Sequence, residues 1–320
     1  MSNTQAYDRW INLLRSSNLI AQEVLQAHLT FDSRLSLLNK LAHLDWLKSW
    51  LDLFRPLDSR IVTELKRRYD VRFTYNSNAI EGNTLSQRET ALVLEQGITI
   101  GGKSLREHLE VVGHGQAIDY VESFTAADAP VDATVGEWEL RQIHSLIMRT
   151  IDPETAGCYR ALDVRAAGTD YVYPPHYQIQ ELMTGFVGWL NSELARSLHP
   201  VVYAAQAHLR LVTIHPFQDG NGRTARLLMN LLLIQSSYPI AVIPYEGRSV
   251  YLDAIVAAQA GQGDEGLIDL VARAAQNSLI ELLGVVATAA SSHDRGQVFF
   301  AQLIELPLRS REARNVSEEA

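Results

Sequence analysis

The sequence predicts an all-α protein, chiefly because of the length and spacing of its apolar segments. Residues 201–214 and 227–234 are apolar runs without internal Pro or Gly, and both are longer than a typical strand. Elsewhere the apolar residues recur mostly at helical spacing, and few stretches alternate as strands do. Prolines mark breaks between the helical segments, at Pro153, Pro174, Pro175, Pro200, Pro216 and Pro244.

Several helices can be placed individually. In the N-terminal part, large apolar residues recur at helical spacing and predict a packing face: Trp46, Leu47, Trp50, Leu51 and Phe54. Ser86 followed by Glu89 is a capping box, so a helix should begin directly after it. Further helices are predicted at residues 137–149 and 178–194.

The chain divides into three predicted regions. Residues 1–70 form an N-terminal helical region, and residues 71–275 form the main domain. Residues 276–320 are predicted to be a C-terminal helical segment that ends in a charged tail. With 320 residues, 47% of them hydrophobic, the chain is long enough to bury a sizeable core.

Composition excludes several classes of function. The net charge of −9 and the lack of a Lys/Arg run argue against nucleic acid as a partner. No uninterrupted apolar stretch reaches 18 residues and no signal segment is evident, so we expect no membrane span and a cytoplasmic location. The single cysteine, Cys158, excludes an internal disulfide, and no Cys or His spacing predicts zinc.

An imidazole, a carboxylate and two guanidinium groups lie close together between the two predicted apolar helices. They belong to residues 215–226, His-Pro-Phe-Gln-Asp-Gly-Asn-Gly-Arg-Thr-Ala-Arg. Gly220 and Gly222 allow the backbone to turn and to approach a ligand closely. The first N–H groups of the second helix lack intrahelical partners and favour an anion. Arg223 and Arg226 share one helix face and can both reach a polyphosphate. This segment is therefore a predicted anion site.

The same twelve residues resemble, position for position, the signature of Fic-domain proteins, His-Pro-Phe-x-Asp-Gly-Asn-Gly-Arg-x-x-Arg. The resemblance covers about residues 70–275 and implies a Fic-type helical bundle with a small β-hairpin flap. It also implies a protein adenylyltransferase, which transfers AMP from ATP to a Ser, Thr or Tyr hydroxyl of a target protein. Relatives often form homodimers, so a homodimer is expected here. The enzyme is also expected to transfer AMP to itself.

The resemblance also implies roles for the residues of the signature. His215 is the expected general base, and Asp219, a hard oxygen ligand, is the expected ligand of Mg²⁺. The loop amides and Asn221 would stabilise charge on the α-phosphate, and Arg223 and Arg226 would clamp the β- and γ-phosphates. The expected nucleotide-binding stretch is completed by Gly220, Gly222, Thr224 and Ala225.

A second motif matches the inhibitory pattern of the family, Ser/Thr-x-x-x-Glu-Gly/Asn, at Ser77, Glu81 and Gly82. Ser77 and Glu81 lie one turn apart on a helix predicted at about residues 76–83, which Gly82 can end. In the family such a helix presses its Glu against the last arginine of the signature, here Arg226. We therefore expect an ion pair that occupies the place of the γ-phosphate and leaves ATP bound unproductively.

A flap is expected from a segment that follows Gly157–Arg160. The segment contains Tyr171, Val172, Tyr173 and Pro174; Tyr and Val suit a strand, and the prolines end its pairing. The exposed edge of such a hairpin can hold an extended part of the target protein.

The adenine pocket is expected near the C-terminal end of the domain. Tyr251 occupies the position of the first of two aromatic residues that line the adenine in relatives, but Leu252 occupies the second position. Gln259 stands where relatives often have Asn.

Three alternatives remain open at this level. The same fold supports phosphoryl or phosphocholine transfer in some relatives, although Gly222, which leaves room for the β-phosphate, favours AMP. Removal of AMP from modified targets is also open, with Glu81 positioning a water. A non-catalytic interaction module is disfavoured because such a module needs neither His215, Asp219 nor the two arginines together.

Overall fold

The computed structural model describes residues 26, 29–124, 134–165 and 171–288. Within these ranges the helices lie in the following order: α1 Leu37–Leu53, α2 Ser59–Ile80, α3 Gln87–Gln96, α4 Leu105–Ser123, α5 Glu137–Met148, α6 Ile179–Leu190, α7 Glu193–Arg196, α8 Pro200–Ile214, α9 Asn221–Gln235, α10 Arg248–Gln259 and α11 Glu265–Thr288. Short 3₁₀ turns at His176–Gln178 and Tyr245–Gly247 precede α6 and α10. The described ranges contain no strand, which confirms the predicted all-α class.

The chain divides into two compact units. One comprises residues up to 65 together with residues from 276 onward, and the other comprises residues 66–275. Both α2 and α11 contain residues of each unit. The three regions drawn from the sequence remain a prediction.

In the first unit, α1 has the expected packing face. Leu47, Trp50, Leu51 and Phe54 are buried and Trp46 is half-buried, because their spacing places them on one side of the helix. Ser36 begins this helix, since its hydroxyl accepts a hydrogen bond from the Asn39 N–H at 3.3 Å.

In the second unit, α9 lies at the centre and packs against α4, α5 and α8. Its residues 227–233 are apolar except for Asn230 and are all buried, as a helix that is hydrophobic all round requires. The Asn230 amide donates to the carbonyls of Arg226 and Ala241, and its oxygen accepts from the Ala241 N–H at 2.7 Å. The polar group is thereby satisfied inside the core.

Capping boxes fix the starts of α3 and α4. The Ser86 hydroxyl accepts from the Glu89 N–H at 3.3 Å, and the Glu89 carboxylate accepts from the Ser86 N–H at 2.7 Å, as predicted. Ser104 and Glu107 repeat the arrangement at α4.

Two helix boundaries differ from the prediction. The helix expected at residues 178–194 is interrupted, because the Ser192 hydroxyl caps a new helix through the Ala195 N–H at 3.2 Å. The short helix expected at about residues 76–83 is instead the end of the longer α2. Its last residue is Ile80, and Glu81 lies in the turn that follows.

The helix α11 has a length and composition that would also suit a membrane span. Within residues 265–287 the most apolar stretch of 18 residues has a mean hydropathy of 1.3, and 72% of that stretch is buried inside the protein. Such burial is typical of a core helix, and the charged residues within it explain why an uninterrupted apolar run is not seen in the sequence.

Candidate active site

The predicted anion site is the loop between α8 and α9. His215 ends α8 in a left-handed conformation (φ 53°), and Gly220 turns the chain into α9 with φ 77°. The Thr224 N–H bonds the Gly220 carbonyl at 2.9 Å, so the N–H groups of residues 221–223 precede the first intrahelical bond. These groups and the helix dipole favour an anion at this point.

Asn221 closes the loop. Its side-chain oxygen accepts from the Phe217 N–H at 2.9 Å, and its amide donates to the Phe217 carbonyl at 2.8 Å. This contact uses one of the two N–H groups of the amide, so the expectation that the side chain stabilises charge on a phosphate stays a prediction. The Thr224 hydroxyl likewise bonds the Gly220 carbonyl, and Ala225 is buried in the core.

His144 supports the loop from α5, a role that sequence reasoning missed. Its ring stacks on Phe217 with 3.7 Å between centroids. Nδ1 accepts from the Gly157 N–H at 2.9 Å, so Nε2 carries the proton and donates to the Asp219 carbonyl at 3.0 Å. Burial lowers the pKa of His144 to about 4, so the ring is neutral near pH 7.

His215 is oriented to accept a proton. Its Nδ1 lies 3.2 Å from the Val212 carbonyl, and a carbonyl can only accept, so Nδ1 carries the hydrogen in the neutral ring. Nε2 then keeps a free lone pair. Burial lowers the pKa of His215 below its ordinary value, which keeps that lone pair available at neutral pH.

Asp219 presents a half-exposed carboxylate at the rim of the loop. One oxygen accepts from the Gly220 N–H at 2.6 Å, and the other accepts from Arg106 Nη2 of α4 at 2.9 Å. No group of three or more His, Cys, Asp or Glu side chains suited to a metal occurs in the described ranges. A cation here would therefore have Asp219 as its protein ligand, with phosphates and waters completing its shell, which is a donor set that Mg²⁺ accepts.

Arg223 is buried with donors to spare. Only 2% of its side chain is exposed, and its Nε and Nη1 have no hydrogen-bond partner. The nearest carboxylate oxygens, Glu110 Oε1 and Asp219 Oδ1, lie 3.7 and 3.6 Å away, and Nη2 bonds the Met148 sulfur. Since unpaired buried donors are costly, this guanidinium fits a site that is completed by an anion.

Arg226 is fully engaged by α2 and the turn after it. Its guanidinium donates to the Glu81 carboxylate at 2.8 Å, to the Ser77 carbonyl at 2.8 Å and to the Ser77 hydroxyl at 3.0 Å. Glu81 and Arg226 are 145 residues apart, and their contact is the one expected from the two motifs. Gly82, next to Glu81, has a φ of 101°, as expected of a residue that ends the helix.

Gly222 provides the space that Glu81 fills. A Cβ at this position would collide with Glu81 Oε1 and would lie 3.1 Å from Arg226 Nη1. Gly222 lies within α9 and makes no turn, so its small size matters here rather than its conformational freedom. The Glu81 carboxylate thus lies against the first turn of α9, where the free N–H groups are.

Tyr251 contacts the last arginine of the signature. Its ring is buried, and its hydroxyl contacts Arg226 Nη1 at 3.3 Å and His208 Nε2 at 2.7 Å. The hydroxyl therefore helps to hold Arg226, and the expected contact of Tyr251 with an adenine stays a prediction. Leu252 is half-buried, and Gln259 bonds Tyr173 and lies 3.5 Å from the Thr213 hydroxyl, so the adenine pocket remains a prediction.

Arg160 ties the flap segment to the loop. Its guanidinium donates to the carbonyls of His215 at 2.8 Å and Pro174 at 2.5 Å, and its N–H bonds the Pro216 carbonyl. The rings of Tyr171 and Tyr173 pack edge to face, and Tyr173 lies 4.1 Å from the His215 ring, while Val172 is exposed. The described part of the flap forms no strand, and residues 166–170 of the expected hairpin lie outside the described residues.

Comparison with known proteins agrees with this geometry. The model of the Fic/DOC family matches residues 134–233. A protein adenylyltransferase Fic of Drosophila willistoni is 37% identical over 222 residues, which are 69% of this chain and 43% of that protein. The chain therefore spans under half the length of that relative.

Solved structures extend the likeness to the fold. Fic-1 of C. elegans (residues 134–508) has a TM-score of 0.69 and 32% identity, over 77% of this chain and 71% of that one. A Fic-domain signaling protein of Bacteroides thetaiotaomicron has a TM-score of 0.66 and 28% identity, over 76% of this chain and 94% of that one. With the signature loop, the helical fold and a relative of this identity and coverage, the chain belongs to the Fic/DOC family.

Proposed function

We propose that this chain is a protein adenylyltransferase, which transfers AMP from ATP to a Ser, Thr or Tyr hydroxyl of a target protein. Two relatives that carry this name support the proposal, because they are 37% and 35% identical to this chain over 69% and 81% of its length. The observation that carries the proposal is the buried Arg223, whose Nε and Nη1 have no hydrogen-bond partner and which lies on the same first turn of α9 as the free N–H groups. Together they form a site for a triphosphate.

The chemistry follows from the side chains around that site. The oxygen of the target hydroxyl forms a bond to the α-phosphorus, and the bond from that phosphorus to the bridging oxygen breaks, so that pyrophosphate leaves. The hydroxyl proton passes to His215 Nε2, the nitrogen that carries the free lone pair. Asp219 would hold Mg²⁺, which supplies positive charge to the phosphates when it is bound.

The same geometry supports autoinhibition. The Glu81 carboxylate accepts a hydrogen bond from Arg226 and occupies the space beside Gly222 on the first turn of α9. A γ-phosphate would need both that arginine and that space. While the pair persists, the triphosphate cannot settle with its α-phosphate in line with the incoming hydroxyl. The enzyme would therefore have low activity until Glu81 moves away.

The target protein would bind at the flap. Val172 is exposed between two tyrosine rings, one of which contacts His215. An extended segment on this side would bring its hydroxyl to the general base.

Labelling with two forms of radioactive ATP tests the proposal. The protein, its Glu81→Gly variant and a His215→Ala control are incubated with a cell lysate, Mg²⁺ and ATP labelled on either the α- or the γ-phosphorus. Because the kinases of a lysate also transfer the γ-phosphoryl group, the result is read as the difference from the His215→Ala control. We expect a His215-dependent label from the α-position only, stronger with Glu81→Gly. A His215-dependent label from the γ-position would instead indicate phosphoryl transfer, and no His215-dependent label from either form would contradict nucleotide transfer.

A further inference from the structure

Four charged side chains form a closed ring at the rim of the loop. Arg106 Nη2 lies 2.9 Å from Asp219 Oδ2, and Asp219 Oδ1 lies 3.6 Å from Arg223 Nη2. Arg223 Nη1 lies 3.7 Å from Glu110 Oε1, which in turn lies 3.3 Å from Arg106 Nε. Two residues of the ring come from α4 and two from the signature, and the charges alternate in sign around it.

The ring orients Arg106 toward Asp219. Arg106 and Glu110 are one helical turn apart on α4, the spacing at which opposite charges attract along a helix face. Glu110 is itself fixed, since only 14% of its side chain is exposed and its other oxygen accepts from Asn83 Nδ2 at 2.9 Å. Arg106 thereby has a preferred direction although 57% of its side chain is exposed.

With Arg106 in this position, both oxygens of Asp219 are engaged. One accepts from the Gly220 backbone, and the other accepts from the guanidinium. A divalent cation on this carboxylate would lie close to the guanidinium, so the two positive charges would repel each other and compete for the same oxygen lone pairs. Cation binding is therefore favoured when Arg106 turns away, and its exposed stem leaves it free to do so.

We propose that Arg106 competes with the divalent cation for Asp219 and so sets the cation concentration at which the site fills. Because it takes Asp219 to be the cation ligand, this role rests on the proposed function. It is separate from the contact of Glu81, which acts on Arg226. Two contacts then keep the site closed. The γ-phosphate displaces Glu81 from Arg226, and the metal ion displaces Arg106 from Asp219.

Direct binding of Mn²⁺ tests this role without any turnover. Free Mn²⁺ is measured by its electron paramagnetic resonance signal, with the nucleotide-free protein and again with a non-hydrolysable ATP analogue. We expect Arg106→Gln to lower the Kd for Mn²⁺ about two- to fivefold, the range that the loss of an exposed ion pair allows. Arg88→Gln, which removes the same charge from an exposed position on α3, should leave the Kd unchanged.

Two further measurements separate displacement from a general effect of charge. Asp219→Asn should weaken Mn²⁺ binding, and adding Arg106→Gln to this variant should not lower the Kd for Mn²⁺. When Asp219 is intact, the lower Kd of Arg106→Gln should persist in 0.5 M salt, because a direct contact is screened less than a distant charge. An unchanged Kd in Arg106→Gln, or an equal gain in the presence of Asp219→Asn, would overturn the proposal.

The outcome is also distinguishable from a failure of the proposed function. If AMP is transferred but Arg106→Gln binds Mn²⁺ like the parent, the competition is wrong and the enzyme activity stands. If Mn²⁺ binding tightens as expected but no variant transfers AMP, the competition stands and the adenylyltransferase proposal fails.

Discussion

His144 and His215 lie beside the same loop, yet burial and hydrogen bonding give them different tasks. His144 uses both ring nitrogens, one toward Gly157 and one toward Asp219, so it can only support the backbone. His215 uses Nδ1 alone and keeps Nε2 for a proton. Residue type does not decide which histidine reacts; the number of ring nitrogens left unpaired does.

Replacement of His215 tests its role as the base. His215→Ala should lower the rate of AMP transfer at least about 100-fold, the lower end of what a general base contributes. ATP affinity, measured by calorimetry, should stay within about twofold because the imidazole contacts no phosphate in this account. A parallel loss of ATP binding and transfer would place His215 among the nucleotide contacts instead.

The stability of the protein should depend on pH through its buried histidines. Burial lowers the pKa of His208 to about 3, against 6.5 for the exposed side chain. Between these values the unfolded chain binds a proton there and the folded protein does not, so stability falls as the pH drops below about 6.5. Each such group contributes a slope of about 1.4 kcal/mol per pH unit.

His208→Gln should therefore reduce the slope of unfolding free energy against pH by about 1.4 kcal/mol per unit between about pH 6 and pH 4. The measurement is urea unfolding at several pH values, with the parent as reference. An identical slope in the two proteins would mean that His208 is protonated in the folded state.

Much of the residue-scale picture could be predicted from the sequence. The loop residues and the contact of Glu81 with Arg226 are contained in two motifs, each specific as a string. Arg106 and Glu110 could not be found in this way. Their spacing shows that they share a helix face, but only the packing of α4 beside α9 shows what that face meets.

At the scale of elements, the proposed autoinhibition depends on the position of the end of α2. Two contacts hold this end against the segment that leads into α10: Arg248 Nε donates to the Ile80 carbonyl at 2.7 Å, and Asn76 accepts from the Tyr245 N–H at 2.8 Å. A cation near the last carbonyls of a helix is favourable, typically by about 0.3–1 kcal/mol. Arg248 thus stabilises the turn that carries Glu81.

Loss of the contact between Arg248 and the Ile80 carbonyl should partly relieve the proposed autoinhibition. We expect Arg248→Gln to raise AMP transfer about two- to fivefold, in line with the strength of such a helix-end contact, and less than Glu81→Gly does. The measurement is incorporation of the α-label at fixed ATP, with Arg88→Gln as a control of equal charge. Activity equal to that of the control would show that the turn holds without Arg248.

Helix positions were predicted better than helix ends. The apolar runs at residues 201–214 and 227–234 became α8 and part of α9, because their length and composition permit little else. The break at Ser192 and the start of α2 at Ser59 depend on capping and tertiary packing, which a short sequence window does not contain. The described part of the flap forms no strand, which is a local detail of the same kind.

At the scale of the whole molecule, the described part of the second unit brings distant segments to one helix. The central α9 carries Arg223 and Arg226, α4 carries two of the four residues of the charged ring, and the turn after α2 carries Glu81. The helix is buried along most of its length, so its arginines cannot move far. In the two proposals the more exposed groups move instead: Glu81, which contacts Arg226, and Arg106, which contacts Asp219.

Autoinhibition by Glu81 is tested by comparing AMP incorporation by the parent and Glu81→Gly, with mass spectrometry of the protein and of a lysate after incubation with ATP and Mg²⁺. Glu81 is 40% exposed and Arg226 is buried, so their pair contributes less than the ~3–5 kcal/mol of a fully buried one. We predict at least about a tenfold rise, or ~1.4 kcal/mol in the population of competent states. Glu81→Gln should give a smaller rise, and Arg226→Ala should stay inactive with or without Glu81. Equal labelling by the parent and Glu81→Gly, with ATP bound by both, would contradict autoinhibition by this ion pair.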